Sequence, residues 1–188
     1  MDKTNNPFVT RGFGDAASWL DLVNSELWDG FGNFTDMLDD PAWISGFMKY
    51  WRIRVPIEPM PIRDFKALRK LLRHVVGLAE SKGQLHMEQL EMLNEWLRVP
   101  SMMRLVEDQN GLQLALSPDR SGWPVVLANI ASGFAENLVK QEHRRFKICR
   151  NEDCKWVFVD RTKGNVRRWC SNATCGNRAR VRKARAGR

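Results

Sequence analysis

Apolar residues recur at helical spacing along most of the chain before Lys140, in five stretches separated by breaks rich in Gly and Pro. This pattern predicts helices over residues 16–28, from Pro41 onward, and over 62–81, 86–97 and 124–142. The third stretch has the widest apolar face, which consists of Phe65, Leu68, Leu72, Val75, Val76 and Ala79. A face of this width is typical of a helix in the core of a helical domain.

In one segment before Lys140 the spacing of the apolar residues changes from helical to alternating. Met103–Glu107 and Leu112–Leu116 alternate between apolar and other residues, and the tetrapeptide between them ends in Asn110-Gly111. Asn-Gly between two alternating segments is a strong signal for a tight β-turn. The sequence therefore predicts a mainly α fold for residues 1–145, with one small β-hairpin as the only strand pair of this domain.

All four cysteines of the chain lie near its C-terminal end, as two pairs with the same spacing. Cys149 and Cys154 form one Cys-x4-Cys pair, Cys170 and Cys175 form the other, and fifteen residues separate the pairs. Two short thiolate loops at this distance are typical of a tetrahedral metal site with no open position. The spacing predicts one structural Zn(II) per chain, held by these four residues.

Two other interpretations of the cysteines stay open. Two disulfides would require an oxidising compartment, but residues 1–15 are polar and Gly-rich, without the apolar stretch of a secretory signal. An iron–sulfur cluster also takes four thiolates. We expect zinc in a soluble, cytoplasmic protein.

Residues 146–188 are predicted to form a small domain around this metal. Trp156–Val159 has the composition of a short strand and Lys163–Asn165 that of a turn, so a hairpin is expected to connect the two cysteine pairs. Ser171 is placed to cap a final helix that begins near Asn172. This order favours a treble-clef-like zinc finger, and a ribbon-like finger is the alternative.

The segment from Cys149 to Arg180 resembles the CGNR zinc-finger family, which is named for the tetrapeptide found here at residues 175–178. The resemblance extends to Asp160 and to residues 167–170, and it covers about a sixth of the chain. One position departs from the family pattern: Asn172 stands where Met is frequent. The resemblance implies a C-terminal DNA-binding finger behind a helical ABATE domain, described as a putative stress-induced transcription regulator.

A second, weaker resemblance lies near the N-terminus. Residues 19–25 are similar to the Leu-Asp-Phe-Val-Asn-Thr signature that opens the ABATE domain. Asp21 and Asn24 share a helix face at i, i+3, so they are candidate ligand-binding residues. The alternative is a solvated or helix-capping pair.

The charge of the chain is divided unevenly. The net charge is +8, yet residues 140–188 hold sixteen Lys or Arg and four acids, which leaves fourteen basic and eighteen acidic residues before them. A basic segment behind an acidic body is the electrostatic pattern of a nucleic-acid-binding module. The predicted contacts are Arg161, Lys163, Arg167, Arg168, Arg178, Arg180, Arg182, Lys183 and Arg185. Among them Arg178, Arg182 and Arg185 share a helix face. The alternative is a disordered basic tail that adds only nonspecific attraction to DNA.

A further basic row, Lys66, Arg69, Lys70 and Arg73, is interpreted as the solvated side of its helix.

These observations together predict a bacterial-type DNA-binding transcription regulator whose helical domain senses a small molecule or mediates assembly, with a homodimer as the candidate oligomer. Docking of an acidic protein partner and RNA binding are the alternative functions. The three histidines form no catalytic motif, so we expect no enzyme. No apolar run is long enough to span a membrane, so no membrane partner is expected.

Overall fold

A computed structural model describes residues 17–54, 58–82, 85–98, 101–108, 111–118, 122–140 and 145–186. Within these residues the chain forms six α-helices and three two-stranded antiparallel sheets. The helices are α1 (Ser18–Asn24), α2 (Pro41–Tyr50), α3 (Ile62–Lys82), α4 (Met87–Leu97), α5 (Trp123–Lys140) and α6 (Asn177–Ala186). The strands are β1 (Glu26–Trp28), β2 (Phe34–Asp36), β3 (Ser101–Asp108), β4 (Gly111–Pro118), β5 (Phe146–Ile148) and β6 (Val157–Val159). The mainly α fold class is confirmed.

Local sequence accounts for several helix boundaries. Asp40 caps α2, because its side chain accepts a hydrogen bond from the backbone N–H of Ala42 at 2.9 Å, and Pro41 occupies the first helical position. The first helix is shorter than predicted, since it ends at Asn24 and the chain enters β1 two residues later. Its predicted start at residue 16 lies outside the described residues, as does the predicted end of α5 at residue 142.

The predicted hairpin is present as β3–β4, which pairs from Ser101 with Pro118 to Asp108 with Gly111. A second hairpin of the body, β1–β2, was not predicted. Its strands have three residues each, which is too short for an alternating pattern to show. Its turn is built by Asp29, whose carboxylate accepts hydrogen bonds from the backbone of Phe31 and Asn33 and from the Asn33 side chain.

One apolar core joins the helices to the segment that carries the cysteines. Trp19 of α1 and Phe134 of α5 lie with ring centroids 5.0 Å apart, and Phe146 of β5 is 5.5 Å from the first ring and 5.8 Å from the second. All three rings are buried, and Val157 of β6 belongs to the same cluster. The first sheet of the finger is therefore part of the core of the helical body. The predicted division into residues 1–145 and 146–188 stays a prediction.

The β5–β6 hairpin corrects one expectation about the finger. Strand 157–159 pairs with residues 146–148, so the hairpin encloses the first cysteine pair and does not connect the two pairs. Strand β5 leads directly into Cys149. The signal of β5 was missed because it is three residues long.

The polar side of α3 is not the solvated face that the sequence suggested. Arg69 is 4% exposed and forms two hydrogen bonds with the carboxylate of Asp36, at 2.7 and 2.8 Å. These bonds hold the pKa of Asp36 well below its usual range. Lys66 also pairs with Asp36, at 3.1 Å, and Arg73 pairs with Glu26 at 3.4 Å. Lys66, Arg69 and Arg73 thus fix the β1–β2 hairpin on α3, whereas Lys70 is exposed as predicted.

The described part of the chain contains no helix that combines the length and apolar character required to cross a bilayer.

Candidate metal centre and basic surface

The four cysteine sulfur atoms converge on one point. Their Sγ atoms all lie within 4.8 Å of one another, and Cys170 is 3.7 Å from both Cys154 and Cys175. A tetrahedral ion with Zn–S bonds of about 2.3 Å would place its sulfurs about 3.8 Å apart. The two separations of 3.7 Å match this geometry, and the four residues are positioned to bind one metal ion.

The backbone around each pair explains how the sulfurs converge. The first cysteine loop, Cys149–Cys154, closes the end of the β5–β6 hairpin: the N–H of Cys149 donates to Trp156 at 2.8 Å. The second cysteine loop, Cys170–Cys175, is a wide helical turn that Ser171 caps by accepting from Thr174 at 3.3 Å. The predicted cap and helix start are therefore present. A hairpin loop facing the start of a helix is the treble-clef-like arrangement.

The four thiols lie close enough together to affect one another's ionisation. A hydrogen bond with the Cys154 thiol raises the pKa of Cys149 to about 11, and burial acts in the same direction. Hydrogen bonds with the Cys149 and Cys154 thiols raise the pKa of Cys170. Thiolates this close repel one another unless a metal ion neutralises them. Donors already face the sulfurs, namely the backbone N–H of Cys170 at 3.5 Å from Cys149 and the Asn151 amide at 3.7 Å from Cys175.

Three side chains of the helical body, Asn24, Arg73 and Glu80, are hydrogen-bonded to the backbone of the finger. The side-chain amide of Asn24 binds both backbone groups of Val157, at 2.8 and 3.0 Å. Arg73 bridges Val23 and the carbonyl of Lys155, and Glu80 accepts from the N–H of Ile148 at 2.9 Å. Each of these contacts uses finger backbone beside the first cysteine loop. The metal site and the body are thus one connected structure.

Two family models match the chain, one on each side of residue 143. Residues 16–141 match the ABATE model, described as "Putative stress-induced transcription regulator", and residues 145–188 match the model of the CGNR zinc finger. The first match alone covers more than half of the chain. This chain belongs to the ABATE family. A search of curated proteins finds no match to it. The resemblances noted in the sequence are therefore confirmed.

Asp21 and Asn24 of the ABATE segment are both buried, at 3% and 4% exposure, but they serve different contacts. The side-chain amide of Asn24 is hydrogen-bonded to the backbone of Val157, whereas Asp21 accepts a hydrogen bond from the indole of Trp51 at 2.8 Å. Burial raises the pKa of Asp21 to about 7. Its second oxygen has no hydrogen-bond partner among the described residues. Neither side chain is solvated, and their role as ligand-binding residues stays a prediction.

Arg178, the last residue of the CGNR tetrapeptide, contacts the ABATE segment. Its guanidinium donates to the carbonyl of Asp29 at 3.2 Å and lies 4.1 Å above the ring of Phe31. Beside it, the N–H of Gly30 donates to the carbonyl of Asp153 at 2.9 Å. The β1–β2 turn is thereby held between the first cysteine loop and α6.

Arg182 and Arg167 are also engaged within the finger. Arg182 forms an ion pair with Asp153 at 2.6 Å, and Arg167 donates to the carbonyl of Cys170 at 2.7 Å while its guanidinium covers Phe158. The helix face shared by residues 178, 182 and 185 thus turns two of its members toward the protein. The remaining predicted nucleic-acid contacts are exposed: Arg161, Lys163, Arg168, Arg180, Lys183 and Arg185.

The first cysteine loop carries a further exposed basic residue, Arg150, that no sequence pattern indicated as a nucleic-acid contact. Its backbone N–H donates to the carbonyl of Arg168 at 2.9 Å. This bond brings Arg150 beside the basic loop, residues 161–168, which contains four basic residues and no acid. In the sequence Arg150 directly follows a metal-binding cysteine and is separate from the other basic residues. Its contact with Arg168 forms only when the chain folds.

Proposed function

We propose that this chain is a DNA-binding transcription regulator whose finger, ordered by one structural Zn(II), contacts duplex DNA. One observation carries the proposal. The cysteine cluster lies in a segment that is hydrogen-bonded to the ABATE segment and that exposes basic side chains. A rigid basic surface of this kind positions cations against the phosphates of a nucleic acid. The description of the ABATE family as a transcription regulator points in the same direction.

Zinc is the metal we propose, because four thiolates in tetrahedral array select zinc or iron–sulfur centres, and sulfurs within 4.8 Å of one another suit a single ion better than a cluster of several. Four protein ligands leave no open position, so the proposed ion has a structural role and the proposal includes no catalysis. Reduced thiolates are stable in a cytoplasmic compartment, which is where we place the protein. Metal analysis of freshly purified protein, together with its visible absorbance, separates colourless zinc from coloured iron.

The proposed contacts to DNA are the exposed basic residues of the basic loop and of α6. Arg178, Arg182 and Arg167 were also predicted to make such contacts, and their bonds within the protein favour a positioning role instead. A finger of this size covers little DNA, so a homodimer that reads two half-sites is part of the proposal.

The experiment is a selection of bound sequences from a random duplex pool, using zinc-loaded full-length protein. The proposal predicts an enriched motif, and a two-fold symmetric motif would indicate the homodimer. An RNA pool and a pool without enrichment pressure serve as controls. Absence of any enriched duplex, or stronger enrichment from the RNA pool, would reject the proposal.

An acidic protein partner is a second candidate, favoured by apolar side chains within the basic surface. Val166 is 75% exposed on the basic loop and Val181 is 51% exposed on α6. Exposed apolar residues surrounded by charge are a feature of protein interfaces. Substituting both valines by Ser distinguishes the candidates, because it weakens a protein contact more than a contact with phosphate.

For the ABATE segment we propose that it senses a small molecule or mediates assembly. The support for sensing is the buried carboxyl of Asp21, which has an oxygen without a partner among the described residues. A thermal-shift screen with Asp21→Asn as the comparison tests it. A ligand that uses Asp21 raises the melting temperature of the unmodified protein and leaves that of the variant unchanged.

A further inference from the structure

An open groove lies between the first cysteine loop and α6, with a volume of about 240 Å³. On the loop side it is lined by Arg150, Asn151 and Glu152. On the helix side it is lined by Ala179, Arg182, Lys183 and Ala186, which form a single stripe at i, i+3, i+4 and i+7. Two alanines in this stripe leave room for a ligand to approach the helix.

The cations of the groove have different roles. Arg182 is held by Asp153 at 2.6 Å and also donates to Asn151 at 3.4 Å, so it joins the two walls. Asn151 in turn donates to Cys175, which connects the groove to the metal site. Arg150 and Lys183 are exposed, and within the described parts of the chain neither of them forms an ion pair. Arg150 and Lys183 therefore line opposite walls of a groove that Asn151 connects to the cysteine cluster.

The groove also connects two groups of basic residues that are separate in the sequence. Arg150 is hydrogen-bonded through its backbone to Arg168, at the end of the basic loop. Lys183 belongs to α6, which carries Arg180 and Arg185. The groove thus lies between the basic loop, which Arg150 adjoins, and the basic final helix. Evenly repeated phosphates along a nucleic-acid strand are the natural ligand of basic residues placed in this way.

We propose that this groove binds a backbone phosphate of duplex DNA, with Arg150 and Lys183 as its two cationic contacts. The inference rests on the proposed DNA-binding function and adds a phosphate-binding site to it. Glu152, at the edge of the groove, opposes the binding of an anion. Its removal should therefore strengthen binding, an effect that unfolding of a variant cannot imitate.

The test measures the affinity of zinc-loaded full-length protein for a labelled mixed-sequence duplex of about two helical turns, at several salt concentrations. For the double variant Arg150→Ala/Lys183→Ala, the slope of log affinity against log salt should become shallower by about 0.9, the value of one lost phosphate contact. The matched control is Arg63→Ala/Lys70→Ala, which removes the same charges from exposed positions of α3. This control should retain the slope of the unmodified protein.

Glu152→Gln should bind the same duplex about twofold to threefold more tightly, as expected for removal of one like charge several ångströms from a phosphate in water. Glu91→Gln, on the exposed side of α4, is its control and should have no effect. Zinc content and circular dichroism of each variant establish that the fold is retained.

The outcomes separate the two proposals. If the unmodified protein shows no salt-dependent binding to duplex DNA, the proposed function fails. If it binds and the double variant keeps the full salt slope, or Glu152→Gln binds no more tightly than Glu91→Gln, the phosphate site is wrong while the function stands. A shallower slope together with tighter binding by Glu152→Gln supports the site.

Discussion

The guanidinium of Arg178 occupies the space that a side chain at position 30 would fill. A Cβ atom on Gly30 would lie 1.8 Å from Nη1 of Arg178. Gly30 also has a φ of +86°, a conformation that side chains disfavour. The backbone conformation therefore favours glycine at this turn, and a side chain there would have to displace the Arg178 guanidinium, through which the finger and the ABATE segment meet.

The substitution Gly30→Ala should displace Arg178 and lower the free energy of unfolding by more than backbone strain alone. Gly32→Ala is the matched control, because Gly32 has a φ of +99° but its nearest neighbouring atom would be 3.9 Å from the new Cβ. Strain costs about 1–3 kcal/mol at either position. Urea unfolding should show a larger loss of unfolding free energy for Gly30→Ala than for Gly32→Ala. Equal losses would contradict the displacement of Arg178.

Asn24→Ala should destabilise the junction between α1 and β6. It leaves the N–H and the carbonyl of Val157 buried without the partner seen in the structure, at a cost of about 1–3 kcal/mol for each group. Zinc affinity should fall as well, since β6 follows the first cysteine loop. Denaturant titration and competition with a zinc chelator measure the two effects. Asn94→Ala, at an exposed position of α4, should change neither quantity.

The buried carboxyl of Asp21 should make stability depend on pH. Its folded pKa is about 7, above the ordinary value of 3.8, so the folded state holds the proton more tightly than the unfolded chain. Stability is thus highest below the ordinary value and falls as the pH rises toward 7. The loss is up to about 4 kcal/mol for this shift.

Asp21→Asn removes this titration while it keeps an acceptor for Trp51. The variant should therefore be more stable than the unmodified protein at neutral pH, and the difference should shrink as the pH falls toward 5. Comparing the two proteins at each pH cancels the effect of acid on the cysteine thiols. A difference that does not vary between pH 5 and 8 would show that Asp21 is ionised in the folded protein at every pH.

Removal of the metal should weaken the helical body as well as the finger. Phe146 and Val157 lie in the core of the body, within the hairpin whose end the first cysteine loop closes. Chelation, or Cys175→Ser, should lower the denaturant midpoint of the far-ultraviolet circular dichroism signal. Addition of zinc should restore the midpoint of the chelated protein but not that of the variant. An unchanged midpoint after chelation would mean that the body is stable without the finger.

The amino-acid sequence by itself determined the elements whose signal is local. Helical periodicity predicted the long helix at 62–81 almost to the residue, Asp40 and Pro41 marked the start of α2, and Asn110-Gly111 marked the long hairpin. The cysteine spacing likewise predicted the metal-binding cluster, because thiolate loops of this length can close around an ion with few requirements on the rest of the fold.

Only the tertiary structure decided which polar groups are available for binding. Arg69, Arg73 and Arg178 look alike in the sequence, yet each is used to hold the β1–β2 hairpin or the finger in place. Arg150 became a candidate phosphate contact because its backbone is hydrogen-bonded to Arg168, eighteen positions away. The physical reason is that a side chain's charge is local, whereas its partners, burial and exposure depend on segments that the fold brings together.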